Sequence, residues 1–448
     1  MLPNLNDAPI EDRLAFVISA VAKEFPDQVA IVNNAGSESR CEVTYALLAS
    51  MLERLEQSLD EHRPVGIIAR GNRLESLIAV AAACGRQHIP VAFLAEDARD
   101  LVGELREWVS LDDFLELPHA SELSLHSAFE PVPSNIIVAT SGTSGPPRLV
   151  EHSWDSLLAS ARLAEQWHAL GWFLFYDATR WAGIQVWLQS VLTGGRLVVP
   201  HSRDPNVALR AIIEEKISIL PGTPGFLRKL ISVSDQHLLA DAKISRITLG
   251  GEAADELLLT QLQQVFPSAK LSHVYATTEL GEVFRVNDGR PGFPAKWLGH
   301  SLPSGGRLSC RRDGELLVQL SRDSAEVGTG DLIERVGDRF VFSGRRSDII
   351  LVGDLRVFPD QIEQVLRGVP GVVDARAYGL PSALTGEIVG AEIVLADSLH
   401  TRTPETVRAD ALIACQQSLE QYAVPKILDI VKSITTNTAG KTTRRRSI

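Results

Sequence analysis

Residues 139–154 read ATSGTSGPPRLVEHSW, a polar, glycine-bearing stretch in a chain that is 45% hydrophobic. Gly142 and Gly145 let the backbone turn tightly and present N–H groups to an anion. Thr140, Ser141, Thr143 and Ser144 add hydroxyl donors. Arg148 adds a fixed positive charge whose fork matches phosphate oxygens. The chemistry open to such a set is the grip of a polyphosphate. The pattern is neither GxxxxGK[ST] nor GxGxxG, and alone it reads equally as a turn-rich connection from strand to helix.

The flanking residues set the frame for that loop. NIIVA before it predicts a buried strand, and Ser153 is placed to cap a helix with Trp154, Leu157, Leu158, Ala161 and Ala164 at helical spacing. Upstream, VGIIA (65–69) and IPVAFL (89–94) predict strands around a helix over 74–85 that ends at Gly85. Downstream, strands are expected at 136–139, 196–200, 217–220, 246–249 and 271–275, with a helix at 255–266. The alternation predicts an α/β fold: mostly parallel sheets flanked by helices. From about residue 305 the runs GELLVQL, DLIERV and DRFVFSG predict a β-rich subdomain. Beyond it a small α+β unit follows, with helices at 359–368 and 404–419 and strands near 375–380 and 390–395. The expected division is an N-terminal domain over 1–345 and a C-terminal domain over 346–448.

Composition narrows the function classes. The 44 basic and 56 acidic residues give a net charge of -12, which argues against a general nucleic-acid binder. Cys41, Cys84, Cys310 and Cys415 form no CxxC pair, so neither a structural zinc site nor a disulfide framework is expected. The apolar stretch LAFVISAVA follows Glu11 and Asp12 and reads as a helix start, not a signal peptide. No apolar run reaches the ~18 residues of a membrane span. A cytoplasmic location is the expectation.

The loop does not stand alone. TSGTSGPPR resembles the TSGTTGxPK phosphate loop of the adenylate-forming superfamily, which includes acyl-CoA synthetases, adenylation domains and luciferase-like enzymes. In that superfamily's order follow LGGEA (249–253), YATTE (275–279), TGD (329–331), GRRSDIILVGDLRVFPDQIE (344–363), YAVP (422–425) and NTAGK (437–441). The likeness runs from about residue 140 to the C-terminus, and VTYALL (43–48) is similar to the superfamily's LTYxEL stretch.

The resemblance implies ATP and Mg²⁺, with a small-molecule carboxylic acid joined to the α-phosphate of ATP. It places Tyr275 on adenine, Thr278 at the α-phosphate, Glu279 at Mg²⁺ and Asp331 on the ribose hydroxyls. Arg345 would contact ribose, Gly251, Glu252 and Ala253 would border the nucleotide, and Gly250 the acid. Lys441 aligns with the catalytic lysine, and Ser347 with the hinge about which the small domain turns after adenylation. The acceptor would be the phosphopantetheine thiol of CoA or of an acyl carrier protein.

Several positions depart from the pattern. Arg148 replaces a lysine and Ala276 a glycine. Leu351 stands where many relatives have Lys, and Asp354 where a glycine commonly borders the pantetheine channel. Asp354 and Leu351 therefore favour, mildly, transfer to an amine instead of a thiol. The acid pocket falls in 173–195, where Arg180 or Trp181 lies near the gate position and Asp177 near the residue that amino-acid-activating domains use. Trp181 and the small Gly183 suit a flat ring, so a compact aryl acid is favoured; an amino acid stays open. A non-catalytic nucleotide-binding homologue is the alternative of a different class.

Overall fold

Short buried runs joined by amphipathic helices build the first part of the chain. In the computed structural model, the described residues are 4–62, 64–70, 73–105, 108–111, 135–140, 147–233, 239, 242–302, 305–321, 323–396 and 402–436. They divide into two compact units. The first holds Met1–Pro221 with Ala242–Arg246 and Thr277–Gly281, and the second holds the remainder.

The first unit contains two sheets. One runs Val109–Ser110, Ile67–Arg70, Val91–Leu94, Ile136–Ala139, Leu149–His152, parallel up to its last, antiparallel pair. In the other, Gly171–Phe173 and Arg196–Pro200 pair in parallel, then Val29–Ala35, with Cys41–Thr44 antiparallel at the edge. Helices Arg13–Glu24, Tyr45–His62, Leu74–Gln87 and Trp181–Leu192 belong to this unit. Its large buried rings satisfy their polar ends: Trp187 Nε1 donates to the Ala178 carbonyl at 3.0 Å and Tyr45 Oη to that of Gly195 at 2.9 Å.

The second unit carries the strands Lys270–Thr277 and Gly281–Val286 and the helices Pro224–Val233 and Glu256–Val265. Next comes an antiparallel sheet in the order Phe293–Pro294, Arg339–Arg345, Val327–Val336, Glu315–Gln319, Arg307–Cys310. From Ile350 a fourth sheet forms, with Leu355–Val357, Ile350–Val352, Gly386–Leu395 and Val372–Ser382 antiparallel and Ile427–Ile430 added in parallel. Helices Pro359–Arg367 and Pro404–Ser418 close a separate apolar core that includes Ile362, Leu366, Ile393 and Val407.

The predicted elements are present, with three local differences. The helix expected to stop at Gly85 runs to Gln87 and is capped by His88 at φ 55°. Gly85 serves close packing instead, because a Cβ there would sit 2.4 Å from the Glu11 carbonyl oxygen. The loop after Ala139 joins two antiparallel strands instead of a strand and a helix, since Leu149–His152 returns along Ile136–Ala139. The helix capped by Ser153 spans only Trp154–Ala159. Among the described residues, no helix is long and apolar enough to cross a membrane and no His/Cys/Asp/Glu cluster could hold a metal.

Candidate active site

In the first unit, the hairpin fixes both ends of the glycine-rich loop. The Thr140 N–H donates to the Arg148 carbonyl at 2.8 Å, and the Arg148 N–H donates to Thr140 Oγ1 at 2.9 Å. Ser141, Gly142, Thr143, Ser144 and Gly145 lie outside the described residues. Arg180, buried at the start of the helix Trp181–Leu192, holds the same strand end. Its Nη1 donates to the carbonyls of Ala139 at 2.7 Å and Thr140 at 2.6 Å, while Nη2 pairs with Asp97. Arg180 thus braces the loop's base through main-chain contacts.

The other acid-pocket candidates have defined local partners. Asp177 Oδ1 accepts from the Thr179 N–H at 2.9 Å and from its hydroxyl at 2.6 Å. Gly183 sits against the Asp177 main chain, where a Cβ would lie 1.9 Å from the carbonyl oxygen. Its smallness therefore answers to backbone packing. The Trp181 ring is buried, 4.4 Å from the ring of His152. A Cβ on Gly281 would lie 3.1 Å from Trp181, so the turn after Thr278 and Glu279 closes directly on this ring. That turn is secured by the Leu280 N–H donating to Thr277 Oγ1 at 3.1 Å, and Glu279 is exposed. His152 is held below the usual imidazole range by burial, against the opposing pull of a backbone hydrogen bond to Thr278 and the charge of Glu279.

In the second unit, Tyr275, Asp331 and Arg345 form one cluster. Tyr275 Oη donates to Asp331 Oδ2 at 2.6 Å, and Arg345 Nε lies 2.8 Å from Asp331 Oδ1. The register explains the second contact, because Asp331 and Arg345 face each other on paired strands. Burial and the neighbouring Asp331 carboxylate push the Tyr275 phenol well above its ordinary value. The Tyr275 ring stacks with Phe284 at 5.1 Å and Phe342 at 4.9 Å. The turn carrying Asp331 is held from behind. Glu315 Oε1 accepts the Gly330 N–H at 3.0 Å, Gly330 has φ 74°, and the Thr329 hydroxyl donates to the Leu316 carbonyl at 2.8 Å.

The Gly250–Ala253 stretch leaves the strand Arg246–Gly250, with Gly251 at φ 88°. Glu252 Oε2 accepts the Gly225 N–H at 3.0 Å, and Ala253 is exposed. Ser347 lies in the single turn Arg346–Asp348 and donates to Asp348 Oδ1 at 2.8 Å. Lys441 lies outside the described residues. Sequence reasoning passed over Glu315 and His152, each a single polar residue in a strand with no spacing signal; the geometry alone sets each beside candidate residues of its own unit.

Two family models and several known proteins match this chain. The model of the AMP-binding enzyme family matches residues 120–311, and that of the AMP-binding enzyme C-terminal domain matches 361–441. A medium/long-chain-fatty-acid–CoA ligase of Mycobacterium tuberculosis is 26% identical over 67% of this chain and 58% of its own. A fatty acid–[acyl-carrier-protein] ligase of Mycobacterium marinum is 21% identical over 99% of this chain and 91% of its own. For some curated relatives the chain spans little more than half their length. Among solved structures, an anthranilate CoA ligase in complex with anthranoyl-AMP superposes with a TM-score of 0.72 at 15% identity, covering 99% and 98% of the two chains. The amide bond synthetase of Marinactinospora thermotolerans gives 0.69 at 20% identity, covering 97% and 98%. With two family models together spanning more than half of its length and the fold shared end to end, the chain belongs to the adenylate-forming, AMP-binding enzymes.

Proposed function

We propose that this protein activates a small carboxylic acid with ATP and passes the acyl group to a phosphopantetheine thiol. The observation that carries the reading is the Tyr275–Asp331–Arg345 cluster, in which three motifs far apart in the sequence share one carboxylate. Each Asp331 oxygen has one partner and retains acceptor capacity for a ribose diol. The hairpin loop, with Arg148 at its foot, would hold the triphosphate, and Thr278 the α-phosphate. Glu279 offers exposed oxygen ligands of the kind Mg²⁺ takes, and the ion would screen phosphate charge. Gly251, Glu252 and Ala253 would border the nucleotide.

In the first step an oxygen of the acid attacks the α-phosphorus, the bond to the β-phosphate oxygen breaks, and pyrophosphate leaves. Lys441 would bridge the acid and the α-phosphate as charge builds there. The acyl-adenylate then meets a thiolate at its carbonyl carbon, and AMP departs with the bonding pair. Rotation of residues 346–448 about Ser347, relative to 1–345, would separate the two steps. Trp181 supports a compact, ring-bearing acid, and Asp177 and Gly250 keep the acid-side roles that the resemblance implies. CoA and a carrier protein remain alternative thiol donors; relatives named for each support both. Transfer to an amine is the second reading, and Asp354 and Leu351 beside the expected pantetheine path favour it.

Acid-dependent ATP–pyrophosphate exchange tests the reading, over aryl, fatty and amino acids. Exchange with at least one acid, lost in Lys441→Ala, is expected; no exchange with any acid would leave a non-catalytic nucleotide binder. Mass spectrometry with CoA, a holo carrier protein and simple amines identifies the acceptor.

A further inference from the structure

Two residues of the second unit stand outside the activation chemistry outlined above and yet close a ring around Asp331. Glu315, in the strand Glu315–Gln319, is buried, and its two oxygens serve different neighbours. Oε1 accepts the Gly330 N–H at 3.0 Å, while Oε2 takes Arg346 Nη2 at 2.9 Å and Arg311 Nη1 at 2.6 Å. Arg346 Nη2 also pairs with Asp313, whose Oδ1 accepts the Glu315 N–H at 3.3 Å. Gly328 leaves room for the carboxylate, since a Cβ there would lie 2.6 Å from Glu315 Oε1.

The contacts run in a closed circuit. Asp331 follows Gly330 in the chain, Gly330 is held by Glu315, and Glu315 holds Arg346. Arg346 follows Arg345, and Arg345 Nε returns to Asp331 at 2.8 Å. The turn that presents Asp331 and the cation that pairs with it are thus fixed to one buried carboxylate. Charge-assisted bonds of this kind are short and directional, so they leave Glu315 little freedom. Arg346 is also the single residue between Arg345 and Ser347. A hinge needs a fixed side as well as a moving one. Any turn at Ser347 pulls first on Arg346, whose side chain is tied to two carboxylates earlier in the chain.

We propose that Glu315 and Arg346 are positioning residues with two effects. They lock Asp331 and Arg345 in the geometry that receives the ribose diol, and they form the fixed side of the hinge, so that movement beyond Ser347 leaves the ribose contact in place. The inference rests on Asp331 binding the ribose and on Ser347 as the hinge.

The first effect is tested by equilibrium dialysis with Mg²⁺–ATP and Mg²⁺–2′,3′-dideoxy-ATP, which differ only in the hydroxyls that Asp331 would accept. The wild type should prefer ATP by at least about 10-fold, because the analogue leaves a buried polar group unmatched. Arg346→Met keeps the half-exposed side chain's length and leaves Glu315 with Arg311 and the Gly330 N–H, so no buried charge is orphaned. It should weaken ATP binding by up to about fivefold, the scale of a partly exposed ion pair, with dideoxy-ATP unaffected. Arg346→Lys should restore most of the loss. Gly328→Ala, which displaces Glu315 Oε1, should reproduce the diol-specific loss from the other end of the ring, and it decides the matter should Arg346→Met not fold. Equal weakening of both nucleotides would reveal a general structural role and overturn the proposal, as would an undiminished preference for ATP. A wild type that binds the two nucleotides equally removes the ribose reading of Asp331, and this inference with it.

The second effect is read as free adenylate released per turnover, with the acid that supports exchange and its acceptor. Arg346→Met should release more than the wild type; unchanged release would overturn the hinge half. Absence of exchange with every acid removes the adenylation reading and the hinge half, while dialysis, which needs no acid, still decides the ribose half.

Discussion

Asp331 is almost wholly buried, so its two partners decide how well it serves as an acceptor. Tyr275 donates to one oxygen and Arg345 to the other, which aims the carboxylate. Removing the phenol in Tyr275→Phe leaves the ring stacked on Phe284 and Phe342 but frees Oδ2. A charge-assisted bond of this kind is worth about 1.5–3 kcal/mol. The expected result is a rise of roughly 10-fold in KM for ATP with a smaller change in KM for the acid, measured by exchange at varied substrate. Equal changes in both constants would count against a nucleotide role. The residue types of this cluster were legible in the sequence through three motifs. The phenol's partner was not, because a motif names residues without saying what they face. Glu315, which secures Gly330, was invisible for the same reason: one acid in a strand has no period to detect.

At the scale of elements, apolar runs and helical spacing located the strands Ile67–Arg70 and Val91–Leu94 and the helices Leu74–Gln87 and Pro404–Ser418, because burial of alternating or periodic apolar positions dominates local structure, but they passed over Val29–Ala35, Tyr45–His62 and Pro224–Val233. Glycines were harder to read. Gly85 and Gly183 look like a helix stop and a roomy pocket, yet each marks a close backbone approach that only tertiary structure creates. Gly183→Ala would push a methyl into the Asp177 carbonyl and shift the start of the helix Trp181–Leu192. A loss of about 2 kcal/mol is expected in urea unfolding, the usual scale of overpacking, and weaker activation of every acid should accompany it. The strand Lys270–Thr277 makes a pH prediction. His273 lies within it, pushed down to about 4 by burial and then by the nearby Arg339. The unfolded chain therefore binds more protons than the folded one between about pH 6.5 and 4, so stability falls as pH falls through that window. Urea melts at pH 7 and 5 should differ by about 2 kcal/mol from this residue alone, and His273→Gln should flatten that part of the dependence. An unchanged pH slope in the variant would place the acid sensitivity elsewhere.

At the scale of the whole molecule, the second unit is tied together by buried charges. The helix Pro224–Val233 offers Arg228, paired with Asp255, and Lys229, which lies 3.5 Å from Asp374. Asp374, 3% exposed on the C-terminal sheet, also takes Arg367 Nε at 3.3 Å, and Arg367 reaches Glu363 at 3.1 Å. Three cations and four carboxylates, counting Glu252 in the field of Arg228 and Arg367, therefore join the Gly250–Ala253 stretch to the C-terminal sheet. Breaking a buried pair by neutralising one partner is strongly destabilising, so Asp374→Asn should cost about 3 kcal/mol in urea unfolding. Lys229 is the more informative position. It is the cluster's more exposed cation, with 23% of its side chain accessible, and it reaches across from residues before 345 to a strand beyond it. If residues 346–448 turn about Ser347 between the two half-reactions, the Lys229–Asp374 pair opens on that turn and Arg367–Asp374 does not. A partly exposed pair contributes at most about 1 kcal/mol, which corresponds to a population shift of about fivefold. Lys229→Met should keep the fold and shift the single-turnover formation of adenylate and its discharge to thiol in opposite directions, each by up to about that factor. Quenched-flow measurement of the two steps separates this from damage to the site, because damage would slow both. Equal rates in wild type and variant would mean that the pair stays closed throughout the cycle, and that the turn, if it occurs, pivots on the far side of this cluster.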